Sequence, residues 1–338
     1  MKKNLILIFI SFCLSIFLIE LLLRFFLPQD LSGTFTIQDK DGLYKNKINS
    51  SSKHSFKNRK ITYVYGKFHN REVSNFEYEN NKKILMLGDS VAFGYLVNDK
   101  DTFQYKLNQK FDEYYFINSS VPGWGTSDYT NFYKKNCKII KPKYTFVFLD
   151  YFDLPRSISS NLYKLNDRNE LTSSSNKFYK SKQILNDSFL YSYLLNNSHF
   201  VQFFRKLIKS LMKNPNQIKL KKNKSKEIDD LEKKILFSKK LFLELKQIST
   251  KCNSQLIILE VGFFKPLINE SNLTYYFFKN NQKFLEKNNI RHIRLVDEMN
   301  ELYSNYINYI IPNDGHPNEK GHILLYNRFV NELKKIFD

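Results

Sequence analysis

The hydrophobic pattern divides the chain into unlike parts. From Leu5 to about Leu27 the residues are almost continuously apolar, the next residues are mostly polar, and short apolar runs then alternate with amphipathic stretches. At about 1.5 Å per residue, a helix over the apolar part would be on the order of 34 Å long, enough to cross a hydrocarbon core. We expect a signal anchor or transmembrane helix at 1–28, a linker and β-arm at 29–80, and one large domain at 81–338.

Within this domain, strand-length apolar runs alternate with helical patterns. The predicted strands are Lys83–Leu87, Tyr115–Asn118, Tyr144–Leu149, Gln255–Val261 and Ile290–Val296. The predicted helices are Thr102–Phe111, Ser127–Asn136, Asp229–Thr250, Asn272–Lys287 and about Glu319–Ile336. Such alternation predicts an α/β fold with three α/β/α layers and a mostly parallel central sheet. Residues that follow the strands should then meet at one edge of the sheet.

An insertion at about 155–226 interrupts this alternation. Within it, Phe189–Lys213 predicts one amphipathic helix. Apolar residues such as Phe204 and Leu211 fall on one face, opposite Arg205 and several lysines. Two interpretations remain open, a cap helix packed on the domain and a basic helix that lies on a membrane surface.

The candidate chemistry begins where the first strand of the domain ends. The apolar run Ile84–Leu87 stops at Gly88-Asp89-Ser90, a tight turn that would deliver a hydroxyl to the start of a helix. Amides at a helix start favour a developing anion. Asp and Ser are also ordinary helix caps, so this segment needs a partner. Asp314-Gly315-His316 supplies a carboxylate and an imidazole, which with a serine can form a catalytic triad.

These segments resemble the SGNH/GDSL hydrolase family in order and spacing, over roughly residues 60–338. A further segment, Asn118-Ser119-Ser120-Val121-Pro122-Gly123, is similar to the family's Asn-x-x-x-x-Gly segment after the second strand. The resemblance implies a flavodoxin-like α/β/α fold and ester chemistry through an acyl-enzyme. It implies Ser90 as nucleophile, His316 as general base and Asp314 as orienting acid. The backbone N–H groups of Ser90 and Gly123 would form the oxyanion hole.

The third family segment departs from the pattern. The family has a Gly-x-Asn-Asp-like turn, and this chain has Asp150-Tyr151-Phe152-Asp153, so Phe152 stands where an oxyanion donor is expected. Loss of one such donor typically costs about 10²–10³ in rate. Asn118 and the amide of Trp124 are candidate substitute donors or site walls, and the sequence does not choose between them.

The acid of the triad has two candidates. Many relatives separate the acid and the histidine by two residues, which would select Asn313, and others by one, which selects Asp314. A carboxylate orients and supports an imidazolium far better than an amide does. We therefore expect Asp314 to be the acid.

The resemblance favours a serine esterase that cleaves an acyl or acetyl ester on a glycan or lipid. An O-acyltransferase to a polysaccharide hydroxyl would use the same triad, and the short acid–histidine spacing is similar to that of relatives that modify polysaccharides. Phe152 instead favours a non-catalytic binding or assembly protein that keeps the fold. A membrane-surface protein that acts through the amphipathic helix is a weaker hypothesis.

Composition adds few constraints on partners. The net charge is +20, but the lysines are scattered, which is typical of compositional bias rather than of a binding surface. No sequence motif indicates nucleic acid binding, metal ligation or a phosphate-binding loop, so we expect no nucleic acid partner, metal or cofactor. The expected partners are inner-membrane lipid around the N-terminal helix and an ester-bearing substrate.

The N-terminal segment and the cysteines bear on location. The apolar run is long for a cleaved signal peptide and lacks a small-x-small cleavage site, which favours an uncleaved anchor. Lys2 and Lys3 favour a cytoplasmic N-terminus, which would place the domain outside the inner membrane, in the periplasm. Cys137 and Cys252 could form a disulfide there or remain two buried thiols.

Overall fold

A computed structural model gives the fold of the chain, and it describes residues 2–72, 82–174, 188–212, 224–264, 273–295 and 300–337. The strands are β1 Thr36–Gln38, β2 Tyr44–Asn46, β3 Ser50–Phe56, β4 Arg59–Tyr65, β5 Lys82–Leu87, β6 Tyr114–Asn118, β7 Tyr144–Leu149, β8 Tyr163–Leu165, β9 Leu171–Ser173, β10 Gln255–Glu260 and β11 Arg291–Arg294. The α-helices are α1 Lys2–Phe26, α2 Ser90–Phe93, α3 Phe103–Lys110, α4 Thr126–Ile140, α5 Asp153–Ser160, α6 Phe189–Asn197, α7 His199–Met212, α8 Lys224–Lys251, α9 Leu273–Lys287, α10 Asn300–Ser304 and α11 Glu319–Phe337. Short 3-10 helices lie at Asp99–Asp101 and Tyr306–Tyr309.

The centre of the domain is a parallel sheet in the order β11-β10-β7-β5-β6. Its inner strands are buried on both faces, which is why they are continuous apolar runs in the sequence. The predicted α/β fold with a parallel sheet is confirmed. The end of the last predicted strand, Val296, lies outside the described residues.

Helices cover both faces of this sheet. Leu85 and Leu87 of β5 belong to a buried cluster with side chains of α4 and α8. Ile84 and Met86 of the same strand belong to a second cluster with side chains of α3 and α11. Adjacent residues of one strand thus point into two cores, as the alternation of side chains along a strand requires. The three-layer α/β/α arrangement is confirmed.

A disulfide ties two helices on one face together. Cys137 near the end of α4 is bonded to Cys252, which follows α8, with their Cα atoms 6.1 Å apart. Of the two states that the sequence leaves open for these cysteines, the structure has the disulfide.

Of the polar segment before the domain, the described residues, up to 72, form a β-arm. Strands β3 and β4 pair as an antiparallel hairpin, and β1 pairs with β2. Arg71 forms isolated bridges to both Tyr65 and Asn118, which joins the arm to the edge of the central sheet. The Arg71 side chain is fully buried and pairs with Asp99 at 2.8 Å. The arm is therefore anchored to the domain beside the ends of β5 and β6.

The single helix predicted over Phe189–Lys213 is wrong. The structure has two helices, α6 and α7, separated at Ser198, whose backbone is extended at φ −110° and ψ 119°. The Ser198 hydroxyl accepts a hydrogen bond from the amide of Val201 at 3.1 Å, and such capping starts a new helix. Lys213 and the insertion residues 175–187 and 213–223 lie outside the described residues.

Helix α1 coincides with the predicted apolar segment and is a candidate membrane span. The most apolar 18 residues of its segment Lys3–Phe26 have a mean hydropathy of 2.8 and are not buried against the domain, and the segment is long enough to cross a membrane. Within the described part of the chain, α1 is the one helix that is long and apolar enough to cross a membrane.

Candidate active site

Ser90 lies at the carboxyl end of β5, as the first residue of α2. The Asp89 side chain accepts a hydrogen bond from the amide of Val91 at 2.8 Å and caps this helix. A Cβ atom on Gly88 would lie 2.5 Å from the Cβ of Ala92, so only glycine allows the strand end and the helix to approach this closely. The turn therefore holds the Ser90 hydroxyl in a fixed position at the rim of the sheet.

His316 lies in the loop that leads into α11. The loop is closed by the amide of Ile311, which donates to the His316 carbonyl at 2.8 Å, and by the left-handed Gly315 at φ 92°. His316 Nε2 lies 2.8 Å from Ser90 Oγ, although the two residues are 226 positions apart. The structure thus brings together the hydroxyl and the imidazole of the two matching segments.

Asp314 completes this arrangement from the same loop. Its Oδ1 lies 2.5 Å from His316 Nδ1 and also accepts the His316 amide at 3.2 Å. Burial raises the pKa of the Asp314 carboxyl, but its hydrogen bonds and electrostatic interaction with His316 outweigh burial, so the pKa lies below its usual value. An ionised carboxylate on Nδ1 leaves Nε2 as the acceptor for the Ser90 hydroxyl.

The predicted oxyanion amides lie on neighbouring loops. Ser90 is the first residue of α2, so its N–H has no carbonyl one turn earlier. The loop that carries Gly123 runs beside it, because the amide of Val121 donates to the Gly88 carbonyl at 3.1 Å. Gly123 has φ 88° in an exposed turn, and a Cβ there would meet no atom within 4 Å. Its backbone therefore borders open space beside the serine loop.

The two candidate substitute donors are engaged in the scaffold. The Asn118 side-chain amide donates to the Ala92 carbonyl at 2.7 Å and accepts from the Ser120 amide at 3.1 Å. The Trp124 amide donates to the Val121 carbonyl at 3.1 Å, and its indole N–H donates to the Tyr44 carbonyl at 2.6 Å. These bonds hold the loops of β5 and β6 against each other and against the arm.

Phe152 begins an apolar wall that ends at the imidazole. It caps α5, and its ring centroid lies 5.4 Å from that of Phe264. The Phe264 ring in turn lies 6.0 Å from the His316 ring, edge to face. The third segment thus contributes hydrocarbon to the site where the family pattern has an amide.

Arg156 is a residue of this region that the sequence analysis did not identify. Its guanidinium lies 5.4 Å from the Phe152 ring centroid and pairs with the Asp89 carboxylate that caps the nucleophile helix. The nearby Asp89 and Asp153 charges raise its pKa, although burial opposes this. The sequence signal that could have identified Arg156 is its position one helical turn after Phe152.

Buried carboxyls lie beneath the same rim. Burial raises the pKa of Asp150 to about 8, and the Asp89 charge adds to this effect. Burial and the Asp89 charge also raise the pKa of Asp153, which accepts a hydrogen bond from the Tyr129 hydroxyl at 2.9 Å. The positive charge of Arg156 opposes this rise and lowers both pKa values.

Tyr95 and His54 connect the arm to the imidazole. The Tyr95 ring lies 4.8 Å from the His316 ring, and its hydroxyl lies 2.9 Å from Nε2 of His54 in β3. Burial lowers the pKa of His54 to about 4, so this histidine is uncharged at neutral pH. No sequence motif marks either residue, because their proximity depends on how the arm docks.

Among known proteins, the chain is similar only to solved structures. No family model and no curated protein matches the chain. The psychrotrophic esterase EstA from Pseudoalteromonas sp. is 14% identical, with a TM-score of 0.43 over 76% of this chain and 99% of that one. A putative lipolytic protein of the G-D-S-L family from Desulfitobacterium hafniense DCB-2 is 13% identical, with a TM-score of 0.42 over 74% and 99%. A two-domain esterase active on acetylated mannans is 12% identical, with a TM-score of 0.40 over 76% of this chain and 50% of that one. At these TM-scores the case for a function rests on the side chains of the site.

Proposed function

We propose that this chain is a membrane-anchored serine esterase of the SGNH type that cleaves an acyl or acetyl ester on a glycan or a lipid. The observation that carries the proposal is the continuous hydrogen-bonded series of Ser90 Oγ, His316 Nε2, His316 Nδ1 and Asp314 Oδ1, with separations of 2.8 and 2.5 Å between residues. A serine, a histidine and a carboxylate in this order are the arrangement that activates an alcohol for attack.

The reaction follows from these contacts. His316 Nε2 takes the proton of Ser90 as Oγ bonds to the ester carbonyl carbon, and Asp314 stabilises the imidazolium that forms. The tetrahedral intermediate collapses, the C–O bond of the ester breaks, and His316 gives its proton to the departing alcohol. Water then attacks the acyl-enzyme, His316 accepts its proton, and the acid leaves as Ser90 is restored.

The amides of Ser90 and Gly123 would stabilise the oxyanion. Support comes from the position of Ser90 at the start of α2 and from the bond between Val121 and Gly88, which ties the loop that carries Gly123 to the serine turn. Backbone N–H groups need no reorganisation to bind a developing negative charge. Phe152 removes the third donor expected from the family pattern. We therefore propose an esterase that is slower than relatives with all three donors.

We further propose that α1 spans the inner membrane and that the domain is periplasmic. The length and hydropathy of α1 support a span, and Lys2 and Lys3 support a cytoplasmic N-terminus. The Cys137–Cys252 disulfide supports an oxidising compartment for the domain. Protease added outside spheroplasts should degrade the domain, and full protection of the domain in sealed spheroplasts would refute the periplasmic placement.

A fluorophosphonate probe tests the chemistry, because it reacts with an activated serine. We expect labelling of the full-length protein in detergent that disappears in Ser90→Ala and in His316→Ala. Ser120→Ala is the matched control, because Ser120 is a buried serine on the neighbouring loop, beside Gly88. A well-folded wild-type protein that stays unlabelled would refute the esterase.

A non-catalytic binding protein is the second candidate, and Phe152 is the observation that favours it. The test above separates the two, since a binding protein does not label. If labelling occurs, competition between water and an added sugar for the acyl-enzyme separates hydrolysis from acyl transfer. Release of free acid alone identifies a hydrolase, and an acylated sugar identifies a transferase.

A further inference from the structure

The carboxylate of Glu20 lies in the apolar helix α1 and is bound by the start of α7. It accepts hydrogen bonds from the amides of His199 and Phe200 at 3.0 and 2.8 Å and from the Ser198 hydroxyl at 2.9 Å. Arg24, one turn later in α1, donates to the same carboxylate at 3.0 Å and to the Asn197 carbonyl at 3.0 Å. Every one of these partners other than Arg24 belongs to the insertion.

This contact fixes the depth of the insertion relative to α1. A carboxylate within a membrane segment is costly unless it is paired, and its partners must then lie at the same depth. Glu20 precedes the last residue of α1, Phe26, by six positions, which is about 9 Å along the helix. An interfacial helix buries its apolar face by about 5–10 Å, so the start of α7 lies at the depth of such a helix.

The face of α7 that points away from the protein is apolar. Gln202 is buried and donates to the carbonyl of Ser32 at 3.0 Å, which identifies the protein-facing side. The opposite side carries exposed apolar residues at the spacing of one helical stripe, namely Phe204, Leu207, Ile208 and Leu211. Leu211 is 75% exposed, and Phe189 at the start of α6 is 85% exposed.

Polar contacts hold the other side of α7 against the residues that follow α1. Lys206 donates to the Gln29 side chain at 3.1 Å, and the Gln29 amide donates to Nδ1 of His199 at 2.8 Å. Gln29 follows α1 directly, so the polar side of α7 contacts the residues that leave the helix. Helix α7 also packs against α1, and both helices carry exposed apolar side chains.

We propose that α6 and α7 (Phe189–Met212, the interfacial hairpin) lie in the outer interface of the lipid bilayer beside α1, with the apolar stripe in the acyl chains. This inference rests on the proposed membrane span of α1. The hairpin contacts Ser32, and Ser32 forms a bridge with His54, which contacts Tyr95 beside His316. The hairpin therefore holds the Ser90–His316 site close to the membrane surface, where an ester on a lipid or on a membrane-bound glycan is presented.

Depth-dependent fluorescence quenching of the full-length protein tests this arrangement. The protein is reconstituted in vesicles of phosphatidylethanolamine and phosphatidylglycerol, and single cysteines introduced by Phe204→Cys and Leu211→Cys in a Cys13→Ser background are labelled with NBD. We expect a doxyl group near the lipid headgroup to quench these labels more strongly than a doxyl group near the end of the acyl chain. Lys110→Cys is the aqueous control. Lys110 ends α3 shortly before the amino end of β6, whereas Ser90 follows the carboxyl end of the parallel strand β5.

Native Cys13, labelled in the wild type, reports on α1 separately, because it is exposed in the middle of that helix. Quenching of Cys13 by the deep lipids, with Phe204→Cys and Leu211→Cys as unquenched as Lys110→Cys, would overturn the interfacial hairpin and leave the membrane anchor intact. Absence of quenching at Cys13 would overturn the anchor, and the hairpin with it.

Discussion

The carboxylate of Asp314 contacts Nδ1 of His316 at 2.5 Å, with only Gly315 between the two residues in the chain. The competing acid candidate, Asn313, is exposed in a left-handed turn at φ 65°. The loop geometry therefore directs the carboxylate, and not the preceding amide, to the imidazole. The contact also selects the tautomer in which Nε2 can accept the Ser90 proton.

Asp314→Asn should lower kcat for ester hydrolysis by about 10⁴, because the amide favours the wrong imidazole tautomer. Asn313→Gly is the control, since glycine keeps the positive φ of that position, and we expect nearly wild-type activity. Steady-state kinetics on a soluble short-chain ester measures both. Equal losses in the two variants would contradict the assignment of Asp314.

Tyr95 should orient the imidazole through its ring. Tyr95→Ala removes the ring that packs 4.8 Å from His316, and small misplacements of a catalytic group can cost up to about 10² in rate. Tyr95→Phe keeps the ring and loses only the contact with His54, so kcat should change little. Thermal unfolding of both variants controls for stability, and equal kcat in both folded variants would argue against an orienting role.

Phe152 can be replaced by the residue that the family pattern expects. Phe152→Asn should raise kcat by about tenfold or more, because one oxyanion donor is typically worth about 10²–10³ and a newly introduced donor recovers part of this. Phe152→Leu is the matched control, which keeps an apolar side chain and adds no donor. If the Asn variant folds and is no faster than the Leu variant, then the oxyanion is not short of a donor at this place.

The buried acids should make the protein less stable as pH rises. Burial raises the pKa of Asp128 from 3.8 to about 7, so between these values the folded state holds a proton that the unfolded state has released. The free energy of unfolding should then fall as pH rises through this window, by at most about 1.4 kcal/mol per pH unit for each such group. Asp150, with its pKa raised to about 8, extends the decline to about pH 8.

Asp128→Asn isolates this effect, because its amide oxygen can still accept the Gly125 N–H that Asp128 binds at 3.0 Å. Urea unfolding at several pH values between about 4.5 and 7, where folded Asp128 holds a proton that the unfolded chain has released, should show a less negative pH slope for the variant than for the wild type. The depressed pKa values of His54 and His322, about 4 and about 3, act in the opposite direction and only below about pH 6.5. Parallel pH profiles for wild type and variant would contradict the prediction.

The disulfide should contribute to stability. Removing Cys137 and Cys252 together by substitution with serine should lower the free energy of unfolding by about 2–4 kcal/mol, because the bond constrains a long segment of the unfolded chain. Cys13→Ser should have no comparable effect, since Cys13 is an unpaired thiol in α1. Denaturant unfolding in detergent measures both, and unchanged stability of the double variant would count against this contribution.

Much of the fold could be predicted from local pattern. Strand β7 has the predicted bounds, Tyr144–Leu149, because a buried parallel strand is a continuous apolar run. The prediction over Phe189–Lys213 failed because the helical period continues through Ser198. The break coincides with a contact to Glu20, whose carboxylate accepts hydrogen bonds from the Ser198 hydroxyl and from the amides of His199 and Phe200, 178 to 180 positions away.

The sequence by itself determined the apolar segments and the order of strands and helices along the chain, because these depend on residues a few positions apart. Only the tertiary structure decided that His316 reaches Ser90, that Arg156 pairs with Asp89, and that Tyr95 contacts the imidazole. Those contacts join segments far apart in the chain. The spatial order of the parallel strands in the sheet brings these segments together at the carboxyl ends of the strands. The periodicity of a single segment does not indicate which strands will be neighbours.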